Sequence, residues 1–287
     1  EEISGWQDMS RLNPEEIMTR VYGTLKPYNP NLFGGYLLAA IPACITLPIF
    51  GKKFIIPSIL LSITSVIALI LTGCRGAYIG LFFELIGLIF ISYKFLKPVY
   101  KKIYTTLISL GALLTSFVVL SVTSLRARIF SIFAMRSDSS NSFRFNVYNS
   151  CLHMFKDNWL LGIGVGNKNF REIYGLYMKT GFDALSAYNI YLETAVESGI
   201  FALIAFLGFL FTLSYEAVKF IFNSRSTEII IYTSACIISI WAVLFHGLVD
   251  TIYFRPQLQF IFWTFVAIIS LALDANITRK SSSPDNN

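Results

Sequence analysis

The chain has 287 residues, of which 55% are hydrophobic, 16% are aromatic and only 14% are charged, and its net charge is +6. Soluble domains carry about 25% charged residues, so this composition excludes an ordinary soluble domain and predicts a protein embedded in the lipid bilayer. We expect no nucleic-acid partner.

Seven apolar stretches follow one another along the chain. A helix that crosses the bilayer needs about 20 mostly apolar residues. Stretches of about this length lie at 33–50, 54–72, 77–95, 103–121, 190–218, 229–249 and 257–273. The sequence therefore predicts an all-α polytopic membrane protein with about seven transmembrane helices and one large extracytoplasmic loop.

These spans divide the chain into five segments. We predict an extracytoplasmic loop at 1–32, four transmembrane helices in 33–121, a large extracytoplasmic loop at 122–187, three transmembrane helices in 188–273 and a cytoplasmic tail at 274–287. The chain begins in polar sequence without a methionine or a signal peptide. We therefore expect a fragment that lacks N-terminal spans.

The basic residues predict the orientation. If the spans alternate, the connections after the first, third and fifth spans and the tail lie on one side, and they hold ten Lys and Arg residues, eight of them Lys. The positive-inside rule makes that side cytoplasmic. We expect a multi-pass protein of the inner (plasma) membrane whose large loop faces the periplasm.

The opposite side uses arginine more than lysine, because nine of its thirteen basic residues are Arg. Arginine binds phosphate and carboxylate groups through two parallel hydrogen bonds. For a single loop arginine, a solvated charge is the better explanation. For the whole set, an anion-binding surface and solvated charges are equally well supported. The large loop holds Arg126, Arg128, Arg136, Arg144 and Arg171, and Arg255 precedes the last span.

Arg75 lies in the segment Thr72-Gly-Cys-Arg-Gly, between two spans with almost no connecting loop. An arginine at a span end can simply extend its charged group to the interface. Here no long connection holds it in water, and arginines near the membrane interior are candidates for functional sites, so we favour contact with an anion.

A disulfide between Cys74 and Cys151 is a minor alternative for these two cysteines.

The start of the fifth span combines several polar residues. Ser186 is the predicted N-cap, followed by Tyr188 and Asn189 in the first turn. Glu193 and Glu197 are four residues apart and therefore share one helix face. Two carboxylates that enter the membrane need partners, and the external arginines are the obvious ones. An ion-pair brace between helices and a catalytic or transport role are equally supported.

The sixth span ends in His246 and Asp250, which are one turn apart, so the carboxylate could orient the imidazole as a base. A purely structural histidine is an equally good explanation. We expect no metal, because no three-ligand spacing occurs, and no cofactor. The glycine-rich segment at 159–167 lacks the lysine of a nucleotide-binding loop, and a tight turn against the membrane surface is predicted instead.

Together these motifs resemble those of the O-antigen ligase and polymerase-like membrane proteins over nearly the whole chain. The family carries T-x-[SC]-R-G at a span end, W-L-x-G-x-G-x-G-N in a large loop and H-N-x9-G at the following helix. The corresponding residues are 72–76, 159–167 and Tyr188-Asn189 followed by Gly199. The chain is more similar still to the cyanobacterial branch described as inorganic-carbon (bicarbonate) transporters, through residues 20–25, 29–32, 184–188 and 246–250.

The resemblance implies a site for the diphosphate of a polyprenyl-linked glycan, held by Arg75 and by Arg128 or Arg144. It also implies that a motif histidine assists the acceptor hydroxyl, but Tyr188 occupies that position here. A tyrosine with a pKa of about 10 is a poor base at neutral pH, so His246 or Glu197 would have to substitute.

Three functions follow as hypotheses. The first is metal-independent ligation or transfer of a polyprenyl-diphosphate-linked glycan at the outer leaflet of the bilayer. The second is passage of a small anion such as bicarbonate, or an accessory role in carbon accumulation. The third is a partner subunit with no chemistry of its own. We favour the first, because transporters usually contain internal repeats with broken helices and we find no such repeat.

Overall fold

The computed structural model describes residues 6–7, 19–24, 26–95, 98–133, 139–224 and 226–282. Two short antiparallel strands, β1 (Trp6–Gln7) and β2 (Thr19–Arg20), precede the first helix. The helices are α1 (Pro30–Thr46), α2 (Ile55–Leu71), α3 (Arg75–Phe95), α4 (Pro98–Ser121), α5 (Thr123–Phe130), α6 (Ser139–Asp157), α7 (Asn167–Tyr177), α8 (Ile190–Asn223), α9 (Thr227–His246) and α10 (Pro256–Ser282). Short 3-10 turns lie at Leu47–Phe50, Lys52–Phe54 and Ile252–Phe254.

Six of the described helices are long and apolar enough to cross a membrane. A seventh span results if Gly111–Ser121 and Thr123–Phe130, which are bent by 101° relative to each other, are counted as one. Large apolar side chains such as Ile56 and Phe211 are exposed on the outside of the bundle, as expected for surfaces that face lipid. The prediction of an all-α polytopic membrane protein is therefore confirmed.

The centre of the bundle is the interface between α3 and α9, with α1 packed against both. Glycines on α3 allow the two backbones to approach closely. A Cβ added at Gly80 would lie 2.6 Å from the carbonyl oxygen of Ala242 in α9. Small residues are typical of helix contacts in membranes, where close van der Waals packing replaces the hydrophobic drive available in water.

The large loop predicted at 122–187 contains α5, α6 and α7 and has a core of its own. The residues of that core are Val147, Cys151, Met154, Phe170, Tyr174, Ala184, Ala187 and Val196. Because Val196 belongs to α8, this core is continuous with the beginning of that helix. The loop is thus a folded cap on one end of the bundle.

Helix α8 is broken at Gly199, whose φ of 78° and ψ of −178° are not helical. The glycine-rich segment before α7 occupies the break. Ile163 N–H donates to the carbonyl of Val196, and Ile200 N–H donates to the carbonyl of Trp159, at 3.0 Å and 2.8 Å. The loop thereby provides hydrogen-bond partners for backbone groups that the break leaves without helical ones. The segment thus packs against α8, and its position at the membrane surface stays a prediction.

Candidate functional site

A cavity of about 160 Å³ lies where α1, α3 and α9 meet the cap. Its wall is strongly polar and is built from segments that are far apart in the sequence. The polar residues of the wall are Arg20, Asn31, Cys74, Arg75, Arg128, Ser140, Arg144, His246 and Asp250. Four guanidinium groups therefore face one carboxylate among the described residues of the wall. Such an excess of positive charge in a partly closed space favours an anionic ligand.

Arg20 reaches the cavity from β2. Its Nε donates to the carbonyl oxygen of Thr72 at 2.7 Å, and its second terminal nitrogen donates to Oδ1 of Asn31 at 2.5 Å. Burial is the main cause that lowers the pKa of Arg20 from its ordinary value, while Cys74, Tyr78 and Asp250 act in the opposite direction. The hydrogen bonds that hold the guanidinium in place thus come from neutral acceptors.

Arg75 and Arg128 tie the α2–α3 turn to the cap. Arg75, the first residue of α3, is buried and donates to Oγ of Ser131 at 3.0 Å. Arg128 is also buried, and its Nε donates to the carbonyl oxygen of Gly73 at 2.9 Å. Ser131 in turn donates to the backbone carbonyl of Arg128 at 2.7 Å. These reciprocal bonds fix the spacing between the two guanidinium groups.

Arg144 projects from α6 and lines a second cavity of about 140 Å³ as well as the first. Its terminal nitrogen lies 3.4 Å from Oγ of Ser140, and its guanidinium lies 6.0 Å from the ring centre of Tyr188. Its Nε is buried and has no hydrogen-bond partner among the described residues. Arg144 therefore has an unused buried donor beside the cavity and is suited to bind a ligand.

His246 and Cys74 form a buried pair at the floor of the cavity. The Nε2 atom of the imidazole lies 3.3 Å from the sulfur atom. Burial alone would raise the pKa of the Cys74 thiol, but His246 lowers it and the net shift is downward. Cys74 and Cys151 are both free, so the alternative of a disulfide between them is wrong.

Asp250 accepts hydrogen bonds from Nδ2 of Asn31 and from the N–H of Thr251, both at 2.7 Å. Asn31 also accepts from Arg20, so a chain of hydrogen bonds runs from β2 through α1 to the residues after α9. The spacing of His246 and Asp250 would allow the carboxylate to orient the imidazole. In the structure the imidazole instead contacts Cys74, while Asp250 lies in the same cavity wall.

Tyr188 lies beside the cavity, next to Arg144. Its φ of 50° is uncommon for a residue with a side chain, and its carbonyl oxygen accepts a hydrogen bond from the Tyr148 hydroxyl at 3.0 Å. Burial is the main cause that raises the pKa of Tyr188, and Asp250 adds to the shift. The phenol therefore remains protonated at neutral pH and can donate a hydrogen bond, but it cannot act as a base.

Asn189 is the N-cap of α8, since its side chain accepts from the N–H groups of Tyr191 and Leu192. The prediction of Ser186 as the N-cap is therefore wrong, and the hydroxyl of Ser186 instead accepts a hydrogen bond from Thr251 at 2.9 Å. An N-cap occupies the position directly before the helix, which is that of Asn189, whereas Ser186 lies three residues earlier.

The two glutamates of α8 bind backbone rather than arginine. Glu193 accepts a hydrogen bond from the N–H of Ala187, and Glu197 accepts one from the N–H of Gly166 at 3.1 Å. Both are buried, and neither is among the residues of the cavity wall. They act as braces that hold two segments of the cap against α8.

Two predicted arginines lie away from the cavity wall. Arg171 is exposed on α7 and pairs with Asp183 at 3.7 Å. Arg255 is exposed before α10. Arg136 falls outside the described residues. In their place the structure brings in Arg20, Asn31 and Cys74, which the sequence analysis had not proposed as an anion site. A signal for them existed, because Arg20 and Asn31 belong to the family-like segments 20–25 and 29–32.

A bundle of membrane-spanning helices with a polar cavity under a folded cap defines a multi-pass membrane protein. A family model described as O-antigen ligase matches residues 60–207, slightly more than half of the chain, and the chain belongs to this family. The match confirms the resemblance to the O-antigen ligase family, while the cyanobacterial transporter branch stays a prediction. The matched residues include Arg75, Arg128, Arg144 and Tyr188. No curated protein matches the chain.

Proposed function

We propose that the protein transfers a glycan from a polyprenyl diphosphate to an acceptor at the outer leaflet of the membrane. The observation that carries this proposal is the convergence of Arg20, Arg75, Arg128 and Arg144 on one cavity that holds a single carboxylate among its described residues. A diphosphate is dianionic or more highly charged at neutral pH and offers several oxygens. Guanidinium groups bind such oxygens in pairs and need no metal.

The reaction is a substitution at the anomeric carbon of the donor sugar. The oxygen of the acceptor hydroxyl forms a bond to this carbon while the bond from the carbon to the diphosphate oxygen breaks. Polyprenyl diphosphate leaves with the electron pair, and the hydroxyl proton passes to a base. Arginines fixed before the reaction stabilise the charge that develops on the leaving group, which is often the largest single contribution to catalysis.

His246 and Asp250 are the candidates for the base, because both line the cavity that Arg20, Arg75, Arg128 and Arg144 share (the arginine cavity). Tyr188 is a donor in this proposal, since its pKa is raised by burial. Glu197 is less suited to the role, because it binds the N–H of Gly166 beyond the cavity wall. The variants His246→Gln and Asp250→Asn separate the two candidates. A base is inactive when protonated, so only loss of the base removes the acidic limb of the pH–rate profile.

The cavity would face the periplasm. This orientation rests on the lysine-rich connections at the opposite end of the bundle, including Lys52 and Lys53 between α1 and α2. It would place the cavity at the level of the headgroups of the outer leaflet, where a polyprenyl diphosphate presents its charged group while its chain remains in lipid.

The alternatives are passage of bicarbonate and an accessory role. A cavity of this size would also hold a small anion such as bicarbonate.

The test uses the full-length protein in proteoliposomes that contain a polyprenyl-diphosphate-linked glycan and a mixture of acceptors. Release of polyprenyl diphosphate is followed, with uptake of labelled bicarbonate measured in parallel. Arg75→Ala should abolish release, whereas the matched control Arg171→Ala, an exposed arginine outside the cavity, should retain it.

The outcomes separate the three hypotheses. Release that requires Arg75 supports glycan transfer. Uptake without release would show that the arginine cavity serves anion passage. Absence of both activities in a stably inserted protein would favour the accessory subunit, and release that is unaffected by Arg75→Ala would refute the role of the arginine cavity.

A further inference from the structure

Glu84 lies in the middle of α3 and plays no part in the arginine cavity. Its side chain is 1% exposed, and neither carboxyl oxygen has a hydrogen-bond partner among the described residues. It is nine residues from the first residue of α3, or about 14 Å along the helix axis. The hydrocarbon core is about 30 Å thick, so this carboxyl group lies close to its centre.

The neighbouring glycines show which way Glu84 faces. Gly80 and Gly87 lie one turn before and one turn after it, on the same face of α3. A Cβ added at Gly80 would lie 2.6 Å from Ala242, and one added at Gly87 would lie 3.0 Å from Ile238. Glu84 is therefore enclosed in the α3–α9 interface rather than directed toward lipid.

The helices packed around this position offer polar groups but little charge. On α9, Ser239 is buried and donates to the carbonyl of Ala39, while the hydroxyls of Thr233 and Ser234 are buried without a partner in the described structure. In sequence, α1 and α2 contain no Asp, Glu, Lys, Arg or His. Helix α3 contacts α1, α2, α4 and α9. The other titratable residues of these five helices are Tyr36 and Cys44 of α1, Arg75, Tyr78, Tyr93 and Lys94 of α3, Tyr100, Lys101, Lys102 and Tyr104 of α4, and Glu228, Tyr232, Cys236 and His246 of α9.

None of the basic groups in the described helices is placed to balance a carboxylate at this depth. Arg75 and Lys94 lie at opposite ends of α3. His246 ends α9, one turn beyond Ala242 and roughly 9 Å along the axis from the level of Glu84. An ionised carboxylate that is buried without a partner is so unfavourable that the group takes up a proton instead.

We infer that Glu84 is a proton-binding site at the centre of the membrane, which holds its proton when α3 and α9 are packed together. Loss of the proton would require water or a cation to enter the interface. The same two helices carry Arg75 and His246 at their cavity ends, and Gly76 packs so tightly that an added Cβ would lie 2.3 Å from the imidazole. Whether Glu84 holds its proton is therefore linked to how closely α3 and α9 pack, and the same two helices form the floor of the arginine cavity.

Infrared difference spectroscopy of the full-length protein in lipid at neutral pH tests this inference. The spectrum of Glu84→Gln subtracted from that of the wild type should contain the carbonyl band of a protonated carboxylic acid, which moves when water is replaced by heavy water. The matched control is Glu172→Gln, an exposed residue of α7 next to Lys168, and it should remove carboxylate bands instead. Loss of carboxylate bands on substituting Glu84 would overturn the inference.

Stability gives a second readout. Gln is a neutral replacement of the same shape, so Glu84→Gln should melt within a few degrees of the wild type or above it. A variant that fails to fold would indicate that the interface needs a negative charge, and it would overturn the inference as well. Neither readout depends on the glycan substrate, so the outcome is independent of the proposed function.

Discussion

Substitution of Gly199 by alanine tests the broken helix α8 and the segment that occupies the break. Gly199 has a φ of 78° and a ψ of −178°, a region that is essentially restricted to glycine and costs other residues about 1–3 kcal/mol. The added Cβ would also lie 2.2 Å from the carbonyl oxygen of Leu160. To relieve this clash, the glycine-rich segment at 159–167 must move away from α8. The movement would break hydrogen bonds such as that from Ile200 N–H to the carbonyl of Trp159, worth about 1 kcal/mol each.

The total destabilisation should be about 3 kcal/mol or more, which corresponds to a decrease in melting temperature of about 6–12 °C for a domain of this size. Thermal unfolding of the purified protein in detergent measures it. Gly208→Ala is the matched control, because it lies in the same helix with nothing within 4 Å of the added Cβ. That variant should be unchanged or more stable by up to about 1 kcal/mol. Equal melting temperatures for the two variants would refute the interpretation of the break.

Three further predictions concern the cavity. Asn31→Ala removes one donor to Asp250 and one acceptor of Arg20, and it should destabilise the protein by about 1–3 kcal/mol in thermal unfolding. The exposed Asn223→Ala is the control and should have no measurable effect. Ser131→Ala removes an acceptor of Arg75 and should weaken binding of a polyprenyl diphosphate, measured by titration, by about five- to tenfold. Unchanged affinity would contradict a positioning role. Burial raises the pKa of Tyr188 above its ordinary value, so the phenol stays protonated at neutral pH. Tyr188→Phe should therefore change the rate of diphosphate release but not the shape of its pH profile, and loss of a basic limb in this variant would contradict the assignment.

The arginines show how far sequence analysis could locate the site. It identified Arg75, Arg128 and Arg144, which the structure brings to one cavity, because each lies close to a span end or in the large polar loop. It also proposed Arg171 and Arg255, which are exposed outside the cavity wall. Residue type and predicted membrane side are the same for all five. The three arginines of the cavity wall differ from the other two in being packed against other parts of the fold. The hydropathy of the sequence does not predict which arginines are packed in this way.

The glutamates of α8 illustrate the same limit. Their spacing correctly places Glu193 and Glu197 on one helix face, but their partners are backbone N–H groups of the cap rather than arginines. An N–H group that lacks a helical partner has no signature in the sequence, since every residue except proline carries one. Only the path of the cap over α8 determines which of these donors reaches a carboxylate.

The sequence by itself determined that this is a multi-pass helical membrane protein, because crossing a bilayer requires long apolar segments that are local and continuous. It also contained the motifs that indicate the family. The tertiary structure decided which polar residues meet. Asn31 and Asp250 are 219 residues apart and Cys74 and His246 are 172 apart, yet each pair is in contact. Such contacts depend on which helices pack together, and that packing arises from shape and small residues distributed over the whole chain.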